Sequence, residues 1–169
     1  MKRTAMAGGA ALCLALALSV AGCGGSGKES AAELATQQQA NVNAIDQIEK
    51  MWHKASSTHD VDLMMSLCAP DATFNIGTET LTGKKEIRDF FAHKAGPFQP
   101  QNHWVSDTPA YKIRITVHGE RGTLYFECDY IDLKTRKVAS VVGADQIVQK
   151  IKGKWLITSS AAATPALGS

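Results

Sequence analysis

Two stretches of the chain carry histidine and aspartate side chains in a pattern that could support proton transfer. His103 and Asp107 lie four residues apart near the start of one predicted strand. Because alternate residues of a strand share a face, both side chains would point to the same side of the sheet. A histidine near a carboxylate suits general acid–base catalysis close to neutral pH. The alternative is a strand-end histidine without a role, and Pro109 could interrupt the alternation with a bulge.

Asp145 is the third candidate acid or base, and its strand allows two orientations because both of its faces are largely apolar. If Val141 points to the interior, Asp145 does too, and it could take part in proton transfer with His103. If Val148 points inward instead, Gln146 lines the interior and Asp145 meets solvent or a partner subunit. The sequence leaves both orientations open.

Four aromatic residues could line an apolar pocket for a hydrophobic ligand, although their spacing also suits an ordinary core. They are Trp52, Phe91, Tyr130 and Trp155. The sequence motifs typical of other chemistries are absent. The 5 histidines show no H-x-x-x-H spacing, and there is no G-x-S-x-G sequence, no phosphate-binding loop and no C-x-x-C pair. We therefore expect no metal site and no cofactor.

The first 22 residues have the pattern of an export signal. Lys2 and Arg3 form a basic start, and the apolar stretch over residues 10–20 is too short to span a bilayer. The segment ends in Val-Ala-Gly-Cys at Cys23, which resembles the bacterial lipobox, whose cysteine is acylated and becomes the first mature residue. We expect residues 1–22 to be removed and Cys23 to anchor the exported protein to a membrane of the bacterial cell envelope. Each buried acyl CH₂ contributes about 0.8 kcal/mol to such an anchor.

Charge and cysteine content change once this segment is removed. The whole chain has 18 Lys and Arg against 16 Asp and Glu, and the loss of Lys2 and Arg3 leaves a formal net charge of zero. No basic cluster with interleaved aromatics is present, which argues against a nucleic-acid partner. Cys68 and Cys128 remain, both on apolar faces. An exported protein could oxidise them, but buried thiols are favoured.

The periodicity of apolar residues predicts three helices followed by long antiparallel strands. Residues 23–40 are rich in glycine and glutamine and predict a flexible tether. The first helix should occupy residues 41–58, where apolar residues recur every three or four positions. A short helix capped by Asp60 stops at Pro70, and a third begins after Thr82. Strands are expected over residues 72–76, 103–117, 124–130, 138–150 and 155–161. The order indicates an α+β fold with the helices on one face of a curved sheet.

Three motifs, in the same order, resemble those of the nuclear transport factor 2-like superfamily and its SnoaL-like branch. They are the capped short helix with its proline–aspartate stop at residues 60–74, the glycine-led helix at residues 83–91, and the sequence Gly-Lys-Trp-Leu-Ile at residues 153–157. The resemblance implies a cone-shaped roll over a domain at residues 41–162, followed by a frayed tail at residues 163–169. It also implies a pocket between helices and sheet, and a homodimer formed through the outer sheet face.

The resemblance leaves two hypotheses for function. The first is a non-catalytic envelope lipoprotein whose pocket binds a small hydrophobic ligand, or whose sheet face binds a partner. The second is an acid–base enzyme of the isomerase, dehydratase or cyclase type, which would use His103 with Asp145 or Asp107. His103 matches a histidine often found in such proteins, whereas Gly143 replaces an aromatic residue expected near Asp145. Glu127 and Asp129 are interpreted as solvated, because they share a face with polar neighbours.

Overall fold

The structure, a computed structural model, describes residues 30–95, 112–131 and 134–163. Three helices precede most of the sheet and pack on one of its faces, as predicted. The helices are α1 (Ala31–Thr58), α2 (Val61–Leu67) and α3 (Gly83–His93). The strands are β1 (Cys68–Ile76), β2 (Glu79–Thr82), β3 (Lys112–His118), β4 (Arg121–Ile131), β5 (Val138–Ile151) and β6 (Lys154–Ala163).

The six strands form one sheet in the order β2-β1-β6-β5-β4-β3. Among the described strands, β1 and β6 pair in parallel and every other neighbouring pair is antiparallel. The α+β architecture is therefore confirmed. The sheet has an inner face, which α1 covers, and an outer face on the opposite side.

Helix α1 begins ten residues earlier than predicted, so residues 31–40 of the expected tether are helical. Ser30 and Glu33 form a capping box: the Ser30 hydroxyl accepts from the Glu33 N–H at 3.3 Å, and a Glu33 carboxylate oxygen accepts from the Ser30 N–H at 2.7 Å. The pKa of Glu33 is lowered by the bond from the Ser30 N–H and by a second bond, which the Ser30 hydroxyl donates to the same carboxylate at 2.8 Å. The added turns are exposed, and Gln38 fixes them to β3 by donating to the Val117 carbonyl at 3.2 Å.

Helix α2 is capped by Asp60 as predicted, since its carboxylate accepts from the Leu63 N–H at 2.9 Å. Strand β1 follows directly at Cys68, four residues before the predicted start. It contains Pro70, which has no N–H to donate to a neighbouring strand. The pairing of β1 with β6 shifts register between Cys68 and Thr73, and this irregularity accommodates the proline.

The inner sheet face and α1 enclose the core. Along β4 the inner positions Leu124, Phe126 and Cys128 are buried. From α1, Ile45 and Ile48 pack into the same buried cluster. Among the described residues, none of the helices is both long and apolar enough to cross a membrane.

The two cysteines of the folded domain are buried and are not joined in a disulfide. The Cys68 thiol lies 3.4 Å from the Met64 carbonyl, to which it donates. Burial raises the pKa of Cys68 to about 12, so this thiol stays protonated and unreactive at neutral pH. Cys128 lies instead on the inner face of β4 and contacts a histidine of α1.

Candidate functional site

Several polar side chains of α1 and of the inner sheet face are buried, and we call five of them the interior polar group. Two come from α1 and three from the strands β4, β5 and β6. They are Glu49, His53, Cys128, Gln146 and Ser160. Buried polar groups are costly unless they are hydrogen-bonded or charge-compensated, so the partners of each side chain in this group decide what its burial costs.

Glu49, His53 and Cys128 form the titratable part of this group. Glu49 and His53 are four residues apart on α1 and therefore project from the same helix face. The exposed fractions of Glu49, His53 and Cys128 are 0%, 8% and 5%. The Cys128 sulfur lies 3.8 Å from His53 Nδ1, and one donor atom from each of the three residues lies within 4.8 Å of the others.

Gln146 and Ser160 form the amide and hydroxyl part of the group. They are paired positions on β5 and β6, and Gln146 Nε2 donates to Ser160 Oγ at 3.4 Å. Gln146 Oε1 is buried and has no hydrogen-bond partner within the described ranges. A buried carbonyl oxygen in this state costs about 1–3 kcal/mol, and a ligand that donates a hydrogen bond would recover that cost.

An aromatic cluster surrounds Trp52 of α1. Its other members are Phe74, Phe91 and Phe126. The Trp52 ring centroid lies 5.7 Å from that of Phe74, 6.1 Å from that of Phe91 and 6.3 Å from that of Phe126. These separations and tilted geometries are favourable for aromatic pairs. The cluster gives the interior an apolar wall beside the polar group.

The predicted pocket-lining residues divide into three sets. Trp52 and Phe91 both belong to the aromatic cluster. Trp155 is buried elsewhere, where its indole N–H donates to Asn41 Oδ1 at 3.3 Å. The side chain of Tyr130 lies outside the described part of the structure.

A shallow depression opens at the surface beside the aromatic cluster. It lies where the end of α1 meets α2 and α3, and Phe91 belongs to both the depression and the cluster. The depression is lined by Ala55, His59, Asp60, Val61, Met64 and Phe91.

Asp145 points away from the interior, which is the second of the two orientations that the sequence allows. Val148 and Gln146 are buried at inner positions of β5, whereas Asp145 is exposed. It lies beside Tyr125 of β4 and Ala161 of β6 on the outer face. Asp145 is therefore separated from the interior polar group by the sheet.

The other two candidate acid–base residues, His103 and Asp107, lie outside the described residues. Their proposed pairing stays a prediction.

Glu127 is not solvated, contrary to the sequence interpretation. It lies on the outer face but is only 1% exposed, because neighbouring side chains fold over its carboxylate. Lys112 Nζ lies 3.3 Å from Glu127 Oε1, and the Tyr125 hydroxyl donates to the same oxygen. This hydrogen bond is the main reason that the pKa of Tyr125 is raised, with burial adding to it. Arg114 stacks 3.9 Å above the Tyr125 ring.

Sequence reasoning missed Glu49 and His53. Both interrupt the apolar face of the first helix, between Ile45 and Ala55, and that interruption was the available signal. A carboxylate and an imidazole four residues apart on a core-facing stripe must be buried together once the helix packs on a sheet.

Comparisons with known proteins identify the family and the fold that this chain resembles. A sequence profile described as the SnoaL-like domain matches residues 48–155. Comparison with curated proteins finds no significant match. An NTF2-like protein with a cystatin-like fold from Novosphingobium aromaticivorans superposes with a TM-score of 0.62 at 14% identity, covering 85% of this chain and 94% of that one.

Two further structures share the fold. An NTF2-like protein of unknown function from Pseudomonas putida has a TM-score of 0.59 at 13% identity, with 77% of this chain and 90% of that one covered. A protein described as a putative dehydratase from the NTF2-like family, from Streptomyces avermitilis, has a TM-score of 0.57 at 14% identity, with 76% and 99% covered.

Proposed function

The chain belongs to the SnoaL-like domain family, and we propose that it is an envelope lipoprotein whose domain binds a small, largely apolar molecule between α1 and the sheet. The aromatic cluster would contact the apolar body of the ligand. Gln146 would accept a hydrogen bond from a hydroxyl or amine on it. A few polar groups placed on an apolar wall are typical of small-molecule sites.

The observation that carries this proposal is the buried Gln146 Oε1 atom, which has no hydrogen-bond partner among the described residues. The Gln146 amide nitrogen donates to Ser160 Oγ at 3.4 Å, and this orientation leaves the carbonyl oxygen as a buried acceptor. A ligand donor at this oxygen would satisfy the acceptor and provide specificity, because a competitor without the donor would leave it unpaired.

Native mass spectrometry of the full-length protein, purified in mild detergent, tests the proposal. We expect a mass that exceeds the sum of the chain and its lipid anchor by that of a bound molecule. Extraction with an organic solvent should remove this additional mass. A protein that shows no such mass, and binds none of a set of small hydrophobic alcohols and amines, would contradict it.

An acid–base reaction in the same interior is the second candidate, of the isomerase, dehydratase or cyclase type. It is supported by the burial of Glu49 and His53 in one group. Asp145 is exposed on the other face, so we do not assign it to this reaction. Recovery of the bound molecule in two interconvertible forms would favour the enzyme, and recovery of a single unchanged form would favour binding alone.

Membrane anchoring through Cys23 is part of the proposal, supported by the lipobox-like sequence that ends there. Replacing Cys23 with alanine is expected to move the protein from the membrane fraction to the soluble fraction and to abolish labelling by a radioactive fatty acid. Cys68→Ser is the matched control, since Cys68 is buried in the core, and it should keep both properties. Labelling of Cys23→Ala at the wild-type level would contradict the anchor.

We also propose that the domain forms a homodimer through its outer sheet face. Ile147 supports this choice, because it is a large apolar residue on that face and 52% exposed. We expect the wild type to sediment as a dimer and Ile147→Lys to sediment as a monomer, since a buried unpaired lysine would oppose association. Leu34 on α1 is equally exposed, so Leu34→Lys is the control and should stay dimeric. A wild type that remains monomeric at high concentration would exclude this interface.

A further inference from the structure

Three side chains of the interior have the composition of a transition-metal site. Glu49 supplies a carboxylate, His53 an imidazole and Cys128 a sulfur, and one donor atom of each lies within 4.8 Å of the others. We propose that these three residues bind a divalent transition metal ion of the Zn²⁺ class. The inference is independent of the proposed small-molecule ligand, which depends on Gln146.

The distances are close to those of a tetrahedral site. With metal–sulfur and metal–nitrogen bonds of about 2.3 and 2.0–2.1 Å, the ligand atoms of a tetrahedral ion stand roughly 3.3–3.6 Å apart. The Cys128 sulfur and His53 Nδ1 are 3.8 Å apart, so this edge is almost in place. A Glu49 carboxylate oxygen lies within 4.8 Å of both other atoms, so a change of the Glu49 side-chain torsions would bring it to the third corner.

The backbone holds the ligands from two rigid elements. Glu49 and His53 lie one turn apart on α1, the same i, i+4 spacing that places two metal ligands on one helix face in other sites. Cys128 faces them from β4. Ligands on a packed helix and strand keep their relative positions better than ligands on loops.

The charges of the three ligands also match those of a divalent cation. When the metal binds, the Cys128 thiol loses its proton to solvent as the sulfur–metal bond forms. The Cys128 thiolate and the Glu49 carboxylate together then carry two negative charges, which a divalent ion neutralises. In a buried site this compensation matters, because isolated charges are strongly disfavoured there.

The mixed donor set narrows the class of metal. Thiolate and imidazole ligands favour zinc and its chemical neighbours over magnesium or calcium, which prefer oxygen ligands. Three protein ligands leave a fourth tetrahedral position for water or a bound molecule, as in catalytic zinc sites. Ser56, one turn beyond His53, has a buried hydroxyl with no hydrogen-bond partner in the described ranges, and it lies on the helix face that could contact such a water.

Cobalt and zinc binding to the full-length protein test the site. After chelator treatment, Co²⁺ should bind with one ion per chain and give the ultraviolet thiolate-to-cobalt charge-transfer band together with intense tetrahedral visible absorption. Zn²⁺ should displace it and raise the Tm by about 5 °C. Cys128→Ser should lose the charge-transfer band and bind Zn²⁺ roughly 100-fold more weakly or worse, because the loss of a direct ligand should cost at least as much as the loss of an outer-shell residue.

Cys68→Ser is the matched control, because Cys68 is also a buried cysteine but lies outside the cluster. It should keep the cobalt band and the zinc affinity of the wild type. If Cys128→Ser does not fold, Glu49→Gln replaces it and should weaken zinc binding while it keeps the charge-transfer band. A folded wild type that gives no charge-transfer band, or a band that survives in Cys128→Ser and disappears in Cys68→Ser, would overturn the proposal.

Discussion

Replacing Gly122 with alanine is expected to destabilise the domain by about 3 kcal/mol, because the backbone of β3 lies too close to this position for a Cβ atom. A Cβ at this position would lie 2.6 Å from the Thr116 carbonyl oxygen, 3.0 Å from Ile45 Cδ1 and 3.2 Å from Val148 Cγ2. The Ile45 side chain can move, but the carbonyl belongs to the β3–β4 pairing and cannot. Urea unfolding followed by circular dichroism measures the loss.

Gly119→Ala is the control for this prediction. Gly119 lies in the turn of the same hairpin and has open space around it, with a φ of +60°. Its replacement should cost only about 1 kcal/mol, the cost of a left-handed conformation for a residue with a side chain. If the two variants lose the same stability, the β3 backbone does not lie as close to Gly122 as described.

Replacing Gln146 with leucine is expected to weaken ligand binding by roughly 100-fold, because the ligand's donor would face a hydrocarbon instead of an acceptor. The same change should alter the stability of the protein without ligand by less than about 1 kcal/mol. It removes a buried oxygen that has no hydrogen-bond partner among the described residues, but it also leaves the buried Ser160 hydroxyl without its 3.4 Å bond, and the two effects offset each other. Native mass spectrometry and urea unfolding measure the two effects.

Gln149→Leu provides the control, since Gln149 follows the buried Val148 on β5 and is only partly buried. It should leave ligand binding unchanged. Equal loss of binding in both variants would show that Gln146 has no specific role, and a loss of more than about 3 kcal/mol of stability in Gln146→Leu would show that its carbonyl already has a partner.

Apolar periodicity predicted most of the fold, because helix and strand faces must match the core. Strand β5 was predicted over residues 138–150 and ends at Ile151. The start of α1 was missed because its first turns are exposed and carry no apolar pattern. The signal there was local: Ser30 and Glu33 have the spacing of a capping box.

The site was harder to predict than the fold, because it depends on which faces meet. Both faces of β5 are largely apolar, so alternation could not orient Asp145, and the burial of Val148 in the core decides it. The H-x-x-x-H spacing that indicates two histidine ligands is absent from the sequence. Glu49 and His53 have the same spacing, but one of them is a glutamate, so this motif does not identify them. Cys128 joins them only through tertiary contact between residues 75 positions apart, which local sequence cannot reveal.

A crystal structure of the protein, purified without removal of bound molecules, tests the central claim most directly. We predict electron density for a small molecule between Trp52 and Gln146, with a donor atom within hydrogen-bond distance of Gln146 Oε1. Density for water alone at this oxygen, or an interior filled entirely by protein side chains, would contradict the claim that this domain binds a ligand there.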